Sequence, residues 1–418
     1  MRGLIIKIIN SFLKVILINF KKLESNLFIY IFLSLGTLLL LSDWLPLRVS
    51  KIHESHFIDL QSILTSASCY ESTGNKVYQI GESNCNNYIY GRYLLILINF
   101  LHINSVSHFV VGLVTMIILL FLMAIIAQHF YNTNLYSKAF ITLVYFSPGV
   151  WFLLERANID SWIFILLSIA VSLMNKKFFI IGLLLLTITV TFKFYTLFIF
   201  LILLFFIKNI FHRVIILGMA ALSILNLLKD LSLIESDFPF TIYSSFGSPS
   251  AGIYIHEIVN LLSSVALIST NLQAHIFGLI FFSISTFIIF KLSPSNFLIS
   301  SSEGNNFFEF SFKLKVFVIF GTTFLSSFLF GMNYDYRLIF AIASSLILCE
   351  NSAGYRFNYL LKALIIISFW FSAFTFGLSG KYYIVLSIFG DAANSILASF
   401  ILLNLINLCK KANSENVR

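Results

Sequence analysis

Apolar runs follow one another along this chain from residue 26 to residue 407, most of them separated by short polar breaks, and that succession restricts the fold more than any single residue does. A water-soluble domain has no use for so much apolar surface: 59% of the 418 residues are hydrophobic and 11% are charged, with a mean hydropathy of +0.93. In hydrocarbon every backbone amide needs an internal partner, and runs of this length satisfy that need as helices. The expected fold class is therefore all-α, a polytopic bundle of transmembrane helices. We place about twelve spans, at 26–42, 109–131, 139–154, 161–175, 178–192, 194–208, 214–234, 273–291, 316–332, 338–350, 361–379 and 382–407. Several fall short of the roughly 20 residues of a full crossing, so the expected count lies between ten and thirteen.

The domain organisation follows from the same runs. Residues 1–25 are expected to form a cytoplasmic amphipathic arm, with Lys7, Lys14, Lys21 and Lys22 among Ile, Leu and Phe. A cleavable signal peptide is the rival reading, and the charges interrupting the apolar stretch count against it. Residues 26–409 read as one transmembrane domain whose first outer loop region is 43–108, and 410–418 as a cytoplasmic tail. The net charge of +9 does not mark a nucleic-acid binder, because the basic residues are sorted by side. With both termini inside, about two thirds of the Lys and Arg fall on the inner face, as the positive-inside rule requires. Most acidic residues fall on the outer face, and no Gly-rich nucleotide loop is present. A donor used on that face must then be lipid-bound or energised in some other way.

The polar run Glu155-Arg156-Ala157-Asn158-Ile159-Asp160 separates two long apolar stretches. Ionisable groups at the edge of hydrocarbon are costly, roughly 3 kcal/mol each on insertion scales, and so usually carry function. Four other pieces are expected on the same face. They are the segment from Asp59 through Cys69 and Cys85 to Tyr88-Ile89-Tyr90-Gly91-Arg92; Lys193 and Tyr195 in Thr191–Thr196; the loop 238–249; and Asn333-Tyr334-Asp335-Tyr336-Arg337. Cys69 and Cys85 would face an oxidising compartment and are expected to form a disulfide worth roughly 3 kcal/mol. The eight His are scattered and suggest no metal cluster. No cofactor is called for, and a divalent cation is left open.

These pieces together resemble bacterial polytopic glycosyltransferases of the GT-C superfamily, in particular the polyprenyl-phosphate-mannose-dependent mannosyltransferases and their uncharacterised relatives. The likeness lies in ERANIDSW, in the Lys-aromatic-Tyr about 35 residues later, in the first outer loop with its Asp, Gly-x-x-Val-Tyr and Tyr-x-Tyr-Gly, and in NYDYRLIF at 333–340. Ala157 stands where Gly is usual, and Thr196 where Pro often follows the Tyr. The resemblance implies transfer of a sugar from a polyprenyl-phosphate donor to a glycan or lipid acceptor on the outer face of a bacterial inner membrane, in cell-envelope polysaccharide synthesis. Other readings of a polytopic, outward-facing protein are an O-antigen-type polymerase or ligase and a lipid-linked sugar flippase.

Such a transfer needs a carboxylate to take the acceptor's proton and cations to hold the departing phosphate. The family places its base in the first outer loop, which points to Asp59, with Asp43 as the alternative; either one could instead cap a short loop helix. Arg156, Lys193 and Arg337 are the candidate phosphate ligands, although basic residues at span ends also snorkel to lipid headgroups. Arg156 could equally pair with a neighbouring acid. Glu155, Asn158, Asp160, Tyr195, Asp335 and Tyr336 complete the candidate substrate-binding set.

Overall fold

The computed structural model describes residues 57–78, 90–130, 135–175, 177–231, 245–246, 271–292, 306–329, 333–334, 337–349, 356–374 and 381–414. The N-terminal arm, the span expected at 26–42, Asp43, Cys85, Asp335, Tyr336 and most of the 238–249 loop lie outside them. In chain order the helices are α1 (Ile58–Thr73), α2 (Arg92–Phe100), α3 (His108–Phe130), α4 (Leu135–Tyr145), α5 (Pro148–Arg156), α6 (Ile159–Leu173), α7 (Phe179–Phe192), α8 (Phe198–Phe206), α9 (Ile210–Leu231), α10 (Asn271–Leu292), α11 (Phe312–Leu329), α12 (Leu338–Ser345), α13 (Arg356–Phe374) and α14 (Lys381–Ser414). Two short strands, β1 (Ser245–Phe246) and β2 (Asn333–Tyr334), pair antiparallel with Ser245 opposite Tyr334. That pairing joins two of the polar segments expected on one face.

Among the described residues, four helices are long and apolar enough to cross a membrane: Ser105–Phe130, Ile210–Asp230, Phe312–Leu329 and Phe389–Ala412. A fifth results if α4 and α5 count as one span. Residues 139–154 were expected as a single helix, and here the structure differs. The chain leaves the helix at Phe146 and Ser147, Pro148 opens α5 at a position where its missing N–H costs nothing, and the two halves meet at 42°. α6 and α7 are apolar but only 15 and 14 residues long, because polar residues begin the first and end the second. α14 continues through Ser414, so the first part of the expected tail is helical.

The region expected as the first outer loop is not merely a loop. It contains α1 and α2, joined by the Asn99 amide donating to the Ala67 carbonyl at 2.9 Å. Asp59 lies in the first turn of α1, whose N-cap is Phe57 with no side-chain cap, so Asp59 does not cap the helix. Cys69, on the same helix, is disulfide-bonded.

α11 is the centre of the bundle. Every residue from Leu314 to Phe328 is buried, as expected for a helix that is apolar all round. Its polar side chains turn back on their own backbone, Thr322 onto the Val318 carbonyl and Thr323 onto the Ile319 carbonyl, which removes the need for partners elsewhere. α8 runs antiparallel to it, with Ser326 donating to the Tyr195 carbonyl at one end and Phe206 against Phe310 at the other. α9 and α10 lie outside, with Leu222, Leu225, Ile280, Ile284 and Phe287 exposed. A continuous apolar face of this kind marks a surface meant for a partner or for lipid.

α6 and α7 form a hairpin, which returns the end of α7 to the start of α6. Gly91 brings the first outer region against that end. A Cβ at this position would lie 1.8 Å from the Thr191 carbonyl oxygen, so a side chain of any size forces the backbones apart. Gly91→Ala is expected to destabilise the protein by about 1–3 kcal/mol, the usual cost of overpacking. Thermal unfolding of the purified variant in detergent measures it, and an unchanged midpoint would show that the close approach is dispensable.

Candidate functional site

The run from Glu155 to Asp160 is a helix-to-helix turn in which each residue has a local duty. Glu155 and Arg156 end α5, and Ala157 follows in the left-handed region at φ 45° with its N–H on the Leu153 carbonyl. Asn158 is extended and caps α6, its Oδ1 accepting from the Asp160 N–H at 3.1 Å. Asp160 then sits in the first turn of α6 while Arg156 ends α5, each where the helix dipole favours its charge. The left-handed corner is also the reason that glycine suits position 157: it adopts positive φ without the Cβ clash.

Two carboxylates organise the site. Asp59 Oδ1 accepts from Arg156 Nε at 2.8 Å and from Arg156 Nη2, and Asp59 Oδ2 accepts from the Asn158 amide at 2.7 Å. A backbone bond fixes this meeting, the Phe57 N–H on the Glu155 carbonyl at 2.8 Å. Asp160 is fully buried and holds the other half. Its Oδ2 accepts from Lys193 Nζ at 2.7 Å and from Arg337 Nε at 3.3 Å, and its Oδ1 accepts from the Tyr195 hydroxyl. The Arg337 guanidinium lies 5.0 Å from the centre of the Tyr195 ring, a cation–π contact that also fixes its plane.

Asn158 links the halves, and so does Tyr90, whose hydroxyl hydrogen-bonds with the Asn158 side chain and whose ring lies 4.9 Å from Lys193 Nζ. Burial, with the charges of Asp59 and Asp160, pushes the Tyr90 phenol well above its usual pKa, so it stays protonated. Lys193 is 7% exposed. Its burial, together with the nearby Arg337 charge, lowers its pKa to about 7 against the opposing pull of Asp160. The ammonium is therefore charged below about pH 7 and neutral above it. Three cations face two carboxylates, an excess of one positive charge that disappears when Lys193 loses its proton.

A cavity of about 230 Å³ opens beside this cluster, lined by Lys193, Tyr195, Arg337 and Tyr90 on one part of its wall and by Asn226 and Asp230 on another. Arg92 reaches Asp230 with Nε 3.3 Å from Oδ1. Of the expected site residues, Asp59, Arg156, Asn158, Asp160, Lys193, Tyr195 and Arg337 come together. Arg156 does form an ion pair, and its partner is Asp59 from the first outer region. Glu155 contributes its backbone carbonyl, while its side chain is partly exposed. Sequence reasoning missed Asn226 and Asp230, and placed Tyr90 and Arg92 in a segment on the same face without giving either a role. Asp230 had a signal, being an acid in the last turn of a long apolar helix; Tyr90 and Arg92 flank the constrained Gly91.

Among the described residues no group of three or more His, Cys, Asp or Glu is placed to hold a metal ion. Comparison with protein-family models, with curated proteins and with solved structures finds no match.

The site geometry has two testable consequences. Ala157→Gly is expected to stabilise the protein by about 0.5–1 kcal/mol, since relief of roughly 1–2 kcal/mol in the left-handed region exceeds the added entropy cost of glycine; equilibrium unfolding in detergent measures the difference. Sulfate, whose charge is constant near neutrality, is expected to bind about tenfold more weakly as pH rises through 7, the loss of one charge-assisted hydrogen bond. Titration calorimetry at pH 6 and pH 8 measures this, and Lys193→Arg, which stays charged, should abolish the difference.

Proposed function

We propose that the chain is a polytopic glycosyltransferase of GT-C type, of about twelve spans with both termini in the cytoplasm. On this reading it moves a sugar from a polyprenyl-phosphate donor to a glycan or lipid acceptor at the outer face of a bacterial inner membrane. The observation that carries the proposal is the gathering of Arg156, Lys193 and Arg337 with Asp59 and Asp160 at one end of short apolar helices, beside a cavity. Such an end suits a lipid-phosphate donor, because the tail stays in hydrocarbon while the phosphate meets fixed cations. Arg grips phosphate through parallel hydrogen bonds, and Lys adds a compact charge.

The reaction assigned to this geometry is a displacement at the anomeric carbon. The acceptor oxygen bonds to that carbon as the bond to the phosphate oxygen breaks. Asp59 takes the acceptor's proton, and the released polyprenyl phosphate carries the extra negative charge. Lys193 and Arg337, which line the cavity, neutralise that charge as it develops. Asp59 is held by Arg156 in the absence of donor. An incoming phosphate competes for the Arg156 guanidinium and releases Asp59 at the moment a base is needed. Asp160 stays ionised throughout and orients Lys193 and Arg337.

Asp59→Asn preserves shape and hydrogen bonding to Arg156 but cannot accept a proton. Transfer from a polyprenyl-phosphate sugar by the purified variant in nanodiscs is expected to fall by about 10²–10⁴-fold, the usual share of a general base, with donor binding retained. Full transfer by the variant would remove Asp59 from the base role. Export of the lipid-linked sugar by wild type without its consumption would replace the enzyme with a flippase.

A further inference from the structure

The wall of the cavity formed by α9 has no part in phosphate binding. α9 turns Leu217, Leu222, Leu225 and Leu228 outward, yet Ser223, Asn226 and Asp230 line the cavity. Their intervals of three and four place them on a single stripe of the helix. Asp230 is 5% exposed, and its Oδ1, although 3.3 Å from Arg92 Nε, accepts no hydrogen bond among the described residues. That oxygen is turned to the Arg92 guanidinium, and the carboxylate, which lines the cavity, keeps lone pairs for a ligand's O–H or N–H.

The neighbouring groups supply the complement. The Asn226 side-chain oxygen accepts from the Tyr93 hydroxyl at 3.2 Å, which leaves its NH₂ to donate. Ser223 donates to the Met219 carbonyl at 2.8 Å, which leaves its oxygen to accept. A carboxylate acceptor, an amide donor and a hydroxyl acceptor along one stripe match neighbouring alcohols, each of which both donates and accepts. The volume of about 230 Å³ lies below the roughly 300–1,000 Å³ of drug-sized ligand sites. It suits one sugar ring and not an oligosaccharide.

We infer that Ser223, Asn226 and Asp230 form a monosaccharide subsite that holds the hydroxyls of the single sugar carried by the lipid phosphate. The Asp230 carboxylate accepts from one ring hydroxyl and Asn226 Nδ2 donates to its neighbour. Arg92 is a positioning residue that fixes the Asp230 carboxylate. The inference rests on the reading that Lys193 and Arg337 hold the phosphate, since it is the shared cavity that sets the sugar against α9.

Binding separates the two ideas. Affinities of wild type, Asp230→Asn and Asn226→Ala in nanodiscs are measured for unmodified polyprenyl phosphate and for the same lipid phosphate carrying glucose, mannose, galactose or N-acetylglucosamine. Wild type is expected to bind at least one adduct tenfold or more tighter than the bare lipid phosphate. Each variant is expected to lose that gain while binding the bare lipid phosphate within twofold of wild type. Asn226→Ala, which among the described residues gives up only the Tyr93 hydrogen bond, guards against loss of folding in the Asp230 variant. If no adduct binds tighter than the bare lipid phosphate, or if the variants weaken both equally, the subsite is overturned and the phosphate reading stands. If wild type binds none of these lipids, the phosphate reading fails first.

Discussion

The arrangement depends on keeping one carboxylate charged inside an apolar bundle. Asp160 has no exposed surface, and an isolated charge there would not survive burial. It is tolerated because Lys193, Arg337 and Tyr195 converge on its two oxygens. Removing one partner of a buried pair typically costs about 3–5 kcal/mol, so the four groups fix one another's positions. They come from the start of α6, the end of α7, the 3₁₀ turn that follows it and the start of α12, and the pairing ties these termini to one end of the bundle.

That constraint explains the short helices. A helix of 14 or 15 residues does not reach across a bilayer unaided, yet α6 begins where Asp160 is needed and α7 stops where Lys193 is needed. Aromatic side chains of the same elements pack against one another, Phe164 against Phe320 at 4.9 Å and Tyr195 against Phe340 at 6.0 Å, and add apolar surroundings to the ion pair. The low dielectric there strengthens each electrostatic contact and makes a missing one correspondingly costly. The same burial brings the Lys193 pKa near neutrality.

The second carboxylate is held differently. Asp59 retains some exposure and is matched by one Arg and one Asn that belong to a single turn. Its hold on the site is therefore looser than that of Asp160. The Ala157 corner makes this turn tight enough for Arg156 and Asn158 to reach Asp59 together.

Much of this was legible in the residues. Apolar periodicity gave the helical class and most helix positions to within a few residues, since hydrocarbon leaves the backbone few choices. The polar run around Asn158 marked a boundary between two apolar stretches, and the structure has a helix-to-helix turn there. The break at Pro148 was equally visible in principle and was passed over in favour of one continuous span. What no local pattern supplies is partnership. Asp59 and Arg156 stand 97 residues apart, and Asp160 and Arg337 stand 177 apart; nothing in either neighbourhood names the other. The clash that makes Gly91 necessary, and the orientation of Asp230 toward the cavity, likewise exist only after α7, α9 and the first outer region have packed. The sequence by itself determined where charge could sit along each helix, because burial energies are local. Only the tertiary structure decided which charges met, because Coulomb attraction acts through space and takes no account of chain order.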